Sequence, residues 1–572
     1  MGIIVGIDLG TSTSEIAILK NGKPEVIPNL DGEFITPSVV GVSDEGNIIV
    51  GKAARDQLLL KPNDTIIEVK RLMGTSSKLA IGGEEYSPQE ISSFIISYLI
   101  ESAQKFIGED VDRAVITVPA YFSDEQRRAT IEAGKLAGIK VERIINEPTA
   151  ASLDYGIEHM EDCKNILVYD LGGGTLDVTV LEMFEGVMDV KASSGNNKLG
   201  GKDFDQSIMD YLMEYFHSLY QKDISDDNRA MMRLKDEAEK CKIELSKSSS
   251  YQVSLPFFAE YNGNPVSLEK EITKELFEEL IKEKVESTKK QIDIALNDSG
   301  LNKSDIDLIL LVGGSTRIPY VKNFIERALD KSPEAVVDPD LAVVRGASIQ
   351  AGIINEDLSS DKDIMITDVC PYTLGTSILD FIGGIPDHDV FDVIIPRNIT
   401  IPATKEKIYY TVADNQEEVE ITVYQGDFKK ASMNNLLGKF TLENIPPAPA
   451  SEQKIKISFS YDVNGILQVE GTIVKTGENA KITIDTSKSD IAEEINTDGW
   501  EDVQNARKFR AVINKASRII ENNEAGIFHT EIESLIKKLK IGLVEGVDIE
   551  ELNMIKNEVT DILYELSSED GI

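Results

Sequence analysis

Aromatic residues are scarce. They make up 6% of 572 residues, and there is a single tryptophan. Cysteine is scarcer still: Cys163, Cys241 and Cys370 lie far apart, no CxxC pair occurs, and there are only four histidines. That argues against a disulfide framework or a Cys/His zinc site, and a reducing, cytoplasmic setting is expected. Positive charge is also in deficit, with 59 Lys and Arg against 99 Asp and Glu for a formal net charge of −40. Nucleic acids and anionic membranes are held by Lys and Arg, so neither is an expected partner. No uncharged run of ~18 or more strongly apolar residues occurs, so no membrane span is expected. The start MGIIVGIDLG has no basic n-region and reaches Asp8 early, unlike a signal peptide. Gly6 stands where a myristoylation signal needs Ser or Thr.

What is present is an ordinary globular balance, 41% hydrophobic and 28% charged. At ~100–200 residues per domain the length predicts two to four domains. Residues 1–355 alternate apolar runs (IIVGIDLG, RAVITVPAY, NILVYDLGG, DLILLVGGS) with helical stretches, an α/β pattern with strands buried on both faces. Residues 356–369 read as a linker, polar and then briefly apolar. Residues 370–488 alternate polar and apolar positions, as at Val419, Ile421 and Val423, with Asn464-Gly465 as a hairpin turn, and predict an all-β domain, a sandwich. Residues 489–572 carry apolar stripes at helical spacing (Val503, Ala506, Phe509, Ile513, Ala516, Ile520, then Leu552, Ile555, Val559, Ile562, Leu566), expected to form a small helical bundle.

The chemistry lies in a repeat. GIDLGTSTSEIAIL (6–19) resembles VYDLGGGTLDVTVL (168–181), matching Asp8 with Asp170, Gly10 with Gly172 and Thr13 with Thr175. Each copy reads as a hairpin with an acid before a glycine turn. Glycine turns let backbone N–H groups approach an anion, and successive N–H groups form a nest. An acid beside a phosphate nest calls for Mg²⁺, which bridges carboxylate and phosphate through retained waters. A third glycine turn, LILLVGGSTRIP (308–319), carries Gly313, Gly314, Ser315 and Arg317, and Arg317 is either a surface residue or a planar partner for an adenine. VPAYFSDEQRRA (118–129) starts a helix at Ser123. Glu147 in RIINEPTAAS and Lys70 in EVKRLMG read, without context, as a helix-start acid and a solvated lysine.

The order IDLGT, VPAYFSDEQR, INEPTAA, YDLGGGT, LGGKDFD, VGGSTRIP and DNQEEVEITVYQG resembles the DnaK-type 70-kDa heat-shock chaperones over essentially the whole chain. ITDVCPYTLG (366–375), the short helical end and the lack of an acidic C-terminal tail look like the HscC branch. The resemblance implies a multidomain protein: an actin-like two-lobed ATPase over 1–355, a linker over 356–369, a peptide-binding sandwich over 370–488 and a short helical lid over 489–572. It implies ATP/ADP and Mg²⁺ as cofactors, and unfolded or extended peptide segments and a J-domain co-chaperone as partners. An exchange factor is left open, and a monomer is the simplest state.

By the same resemblance, Gly10, Thr11, Ser12, Thr13, Gly172, Gly173, Gly174, Thr175, Gly200 and Gly201 hold the phosphates, and Asp8 and Asp170 hold Mg²⁺ through water. Lys70, Glu147, Asp170, Thr175 and Asp177 form the catalytic cluster, suited to a transfer that needs alignment and charge neutralisation. Glu239, Lys242, Ser246, Gly313, Gly314, Ser315, Arg317 and Asp340 form the adenosine pocket. Leu379, Val412 and Val419 bind peptide. Pro119 and Arg127 relay nucleotide state, and Arg143 and Asp368 engage the J-domain. Departures are Thr367 in IMIT, which predicts weaker linker docking, and GNNKLGG at 195–201. The end at Ile572 predicts a short lid and fast peptide exchange. A small-molecule kinase or a filament protein of the same fold would leave residues 370–572 without a task.

Overall fold

A computed structural model describes residues 2–159, 162–225, 227–334, 336–358, 364–382, 385–483, 500, 503, 506–521, 529–545 and 549–570. The middle of the expected linker and the start of the expected helical region lie outside them. The chain divides into two compact units, Met1–Pro371 with Arg397–Thr404 and Ser460–Leu467, and Tyr372–Pro396 with Lys405–Phe459 and Gln468–Ile572.

The first unit is built on two sheets of like plan. In one, the hairpin Ile3–Leu9/Thr13–Lys20 has a parallel neighbour, Val111–Val118. In the other, the hairpin Lys164–Leu171/Leu176–Phe184 has a parallel neighbour, Leu308–Val312. The hairpin strands are buried nearly end to end, as expected of strands covered on both faces. Helices Glu147–Gly156 and Ala342–Ile354 share a core with Ile4, Val115 and Ile145 of the first sheet and Ile166, Val168 and Leu310 of the second. Where these helices cross, a Cβ on Gly346 would stand 1.7 Å from the Ala150 carbonyl oxygen, so only glycine permits the approach.

Local sequence explains the elements that carry function. Helix Asp124–Leu136 starts at Ser123, whose Oγ accepts from Gln126 N while the Gln126 side chain accepts from Ser123 N, a reciprocal cap. Helix Glu147–Gly156 has Pro148 in its first turn, where a missing N–H costs nothing. Met365–Ile366 adds an edge strand beside Val187–Asn196, and Thr367 Oγ1 donates to Asp189 at 2.6 Å. The expected loss of an aliphatic contact at Thr367 is thus offset by a hydrogen bond.

Beyond Pro371 the chain is β-rich. One four-stranded sheet runs Ile385–Ile395, Leu374–Ile382, Val419–Gln425, Asn435–Leu442, and another Ala403–Tyr410, Lys454–Tyr461, Leu467–Ile473, Asn479–Thr483. Asn464-Gly465 forms the expected turn, with Gly465 at φ 70° and its N–H donating to the Asp462 carbonyl. Helices Arg510–Glu521, His529–Glu545 and Ile549–Asp570 pack around Phe509, Ile513, Leu539 and Val559, joined by Met433. Ile519 rather than Ile520 is the more buried of that pair, a one-position slip of the expected stripe. Among the described residues no helix is long and apolar enough to cross a membrane.

Candidate functional site

The two hairpins meet at their turns. A Cβ on Gly173 would lie 2.2 Å from Ser12 Oγ, so the second turn abuts the first with no room for a side chain. Their strands continue into the walls of a cleft. Asp8, Gly10, Thr11, Ser12, Thr13, Lys70, Glu147, Asp170, Gly172, Gly173, Thr175, Gly313, Gly314 and Asp340 all line it. Residues far apart in sequence and singled out on separate motifs are therefore brought to one place.

Each turn is held from outside. Gly172 O accepts from Gly201 N at 2.9 Å and from Ser315 Oγ at 2.8 Å, and Gly173 O accepts from Lys202 N at 2.9 Å. Gly10 O accepts from Ser38 Oγ at 2.9 Å. Asp8 accepts from Thr117 Oγ1 at 2.7 Å. Lys70 Nζ donates to Glu147 Oε1 at 2.5 Å, and both side chains are buried. Lys70 is thus a buried ion-pair partner, and Glu147 begins its helix as expected while facing the cleft.

The cleft is strongly acidic. Burial pushes the Asp8 carboxyl up to about 6, with Glu147 adding to the shift and Lys70 and the Thr117 hydroxyl opposing it. Burial, then Glu147, Asp177 and Asp8, hold Asp170 well above the usual carboxylate range. Burial works against the Lys70 charge, but Glu147, Asp8 and Asp170 outweigh it, and Lys70 lies above the ordinary lysine value. Buried carboxylates in excess over one ammonium suit a divalent cation, and an oxygen-only donor set beside a glycine cradle suits Mg²⁺ with a phosphate.

Other predicted residues stand back from the cleft. Asp177 accepts from Ala120 N at 3.2 Å and Tyr121 N at 3.1 Å, fixing the segment after Pro119 to the second hairpin. Lys242 Nζ donates to Gly201 O at 2.9 Å and pairs with Asp205 at 2.8 Å. Ser246 Oγ donates back to Lys242 O. Glu239 pairs with Arg55 and, at 3.1 Å, with Lys202. Burial opposes the Glu239 charge, but Lys202 and Arg55 outweigh it and bring it down to about 2. Arg317 is half-exposed and clasps Asp338 and Asp340 at 2.9 and 2.6 Å, so its guanidinium is fixed in one plane. Gly174 packs under Arg71, which donates to Asp203 at 2.9 Å.

The relay residues form a chain of contacts. Arg127 donates to Ala120 O at 2.9 Å and to Asn146 Oδ1 at 2.8 Å, and Asn146 Nδ2 donates to Asp368 Oδ1 at 2.8 Å. A hydrogen-bonded path thus leads from Asp177 through the 120–127 segment to Asp368. Arg143 is largely buried, which lowers its affinity for a proton, with Asp368 acting in the opposite sense. In the β-rich region Leu379 and Val419 are half-buried on neighbouring strands, and Val412 is exposed.

Several residues escaped the sequence reading. Arg55, which pairs with the predicted Glu239, and Lys235, which pairs with Glu68 at 2.9 Å, line a second cavity, and as isolated charges Arg55, Lys235 and Glu68 carried no signal. Asn146, one residue before Glu147, was not singled out. Glu15 had a signal, since it follows Asp8 at the spacing by which Asp177 follows Asp170.

A model of the Hsp70 protein family matches residues 4–80 and 77–570. Members of that family are chaperones and ATPases, and their cofactors in general are ATP or ADP with Mg²⁺. Matched over nearly its whole length, the chain belongs to the Hsp70 protein family.

Proposed function

We propose that this chain is an ATP-hydrolysing chaperone that binds extended apolar segments of unfolded proteins and releases them in a cycle set by nucleotide. The observation that carries the reading is the convergence of two acid-glycine hairpins and the Lys70–Glu147 pair on one cleft. Thr11, Thr13, Gly172, Gly173, Gly174 and Thr175 bind the phosphates, and Asp8 and Asp170 hold Mg²⁺ through water. Magnesium supplies charge neutralisation of the phosphates when bound. Glu147 and Lys70 orient the attacking water and meet the transferred charge, and their pairing fixes both in place. Glu239, Lys242, Ser246, Arg317 and Asp340 take the adenosine; the paired, planar guanidinium of Arg317 is suited to stacking on a base.

The two four-stranded sheets are read as a peptide-binding sandwich, with Leu379, Val412 and Val419 at the peptide and the C-terminal helices as its lid. Main-chain hydrogen bonds and one buried aliphatic side chain give broad specificity and reversible binding. Arg127, Asn146 and Asp368 pass nucleotide state toward the residues that follow, and Arg143 and Asp368 meet a J-domain partner. ITDVCPYTLG supports a place near the HscC branch. The test is phosphate release from ATP with Mg²⁺ and with EDTA. Hydrolysis that requires the metal is expected. Tight ATP binding without hydrolysis would overturn the roles of Lys70, Glu147 and Thr175.

A further inference from the structure

One cleft carboxylate has no task in the scheme above. Glu15 lies directly across the first hairpin from Asp8, as Asp177 lies across the second from Asp170. Directly opposed residues of an antiparallel pair share a face, and both Asp8 and Glu15 line the cleft. The equivalent acids differ in use. Asp177 is taken up by two backbone N–H groups and does not line the cleft. Glu15 is 2% exposed. Burial first, then Asp8 and Asp340, oppose its charge, and the Thr13 hydroxyl and Lys70 favour it.

Like charges directly opposed on a sheet destabilise it, and burial raises that cost. A cation beside them reverses the sign. We propose that Glu15 is a third carboxylate of the metal's outer shell, beside Asp8 and Asp170, and that it makes nucleotide affinity depend more steeply on the divalent cation. This rests on the nucleotide reading of the cleft. Without metal the Glu15 charge repels the phosphates; with metal it attracts the cation. A residue that merely packs would shift both affinities in one direction.

The experiment is calorimetry of ADP binding to the full chain at pH 8, in Mg²⁺ and in EDTA, for the wild type and Glu15→Gln. The ratio of the two affinities is expected to fall roughly ten-fold in the variant, the lower end of what outer-shell groups contribute to metal affinity. Binding should weaken in Mg²⁺ and be equal or tighter in EDTA. An unchanged ratio overturns the proposal. Glu15→Gln also removes an opposed charge, so without nucleotide or metal it is expected to melt higher than the wild type; lower melting, or failure to fold, contradicts the proposal as well. A wild type that binds no ADP in either buffer would instead remove the nucleotide reading itself.

Discussion

The two hairpins share a motif and differ in their wiring. The first is tied to its own sheet: Ser38, next to a short strand paired with the hairpin, holds Gly10 O, and Thr117 on the parallel neighbour holds Asp8. The second is tied outward, through Asp177 to the 120–121 backbone and from there by Arg127 and Asn146 to Asp368. Under the proposed function both copies face the metal, through Asp8 and Asp170, and the second alone is also wired to report on the site's state. The same cross-strand position serves both ends, with Glu15 turned to the cleft and Asp177 to the backbone.

The largest expected effect lies between the hairpins. Lys70→Ala should cut hydrolysis by about 10²–10⁴-fold in single-turnover assays, the usual loss for one positioned group. ATP binding by calorimetry should change far less. Near-normal turnover would remove Lys70 from the mechanism and leave it, the only cation among the described residues lining the cleft, as a structural partner of Glu147.

The wiring of the second hairpin is tested by Asn146→Ala. It removes the bridge from Arg127 to Asp368 without touching the cleft lining. Stimulation of hydrolysis by peptide should fall by about 2–30-fold, the range of coupling energies of 0.5–2 kcal/mol, while basal hydrolysis stays. Equal loss of both rates would show that Asn146 only supports the fold. Val419→Phe should abolish binding of a fluorescent leucine-rich peptide with basal hydrolysis intact. Unchanged peptide affinity would make Val419 simple core.

Smaller effects sharpen the contrast at the margins. Arg55→Ala removes one ion pair at this cavity, leaving Lys235–Glu68 and Lys202–Glu239. Release of a fluorescent ADP analogue should quicken about two- to five-fold, since partly exposed pairs contribute ~1 kcal/mol or less; an unchanged rate would deny the rim a gating role. Asp154, away from both hairpins, is a control in pH. Burial pushes its carboxyl up to about 6, against the opposing effect of Arg345. A carboxyl raised above its unfolded value binds its proton more tightly when folded, so its contribution is favourable below about pH 4 and is lost as pH rises through 6. Asp154→Asn should therefore flatten the fall in stability between pH 4 and 6, read from urea unfolding. Equal slopes would show that Asp154 titrates normally.

Much of this was legible from local rules. The hairpins follow from apolar strands that stop at an acid and glycines, the helix at Ser123 from its capping residues, and the 464–465 turn from Asn-Gly. The cleft's membership followed from the repeat together with the family resemblance. What local rules miss is pairing across distance. Arg55 and Glu239 are ordinary charges until the fold joins them. Asn146 becomes a bridge only because Arg127 and Asp368 arrive on its two sides. Glu15 is the instructive case: its place in the repeat could be read, but not that it lines the cleft while its counterpart Asp177 is taken up by two backbone N–H groups.

The most direct test of the central claim, that one cleft drives peptide binding through the second hairpin, is steady-state ATP hydrolysis by the wild type with and without an extended leucine-rich peptide. Faster hydrolysis with peptide, with the stimulation reduced in Asn146→Ala, is the predicted result. Hydrolysis that is indifferent to peptide in the wild type would contradict the account.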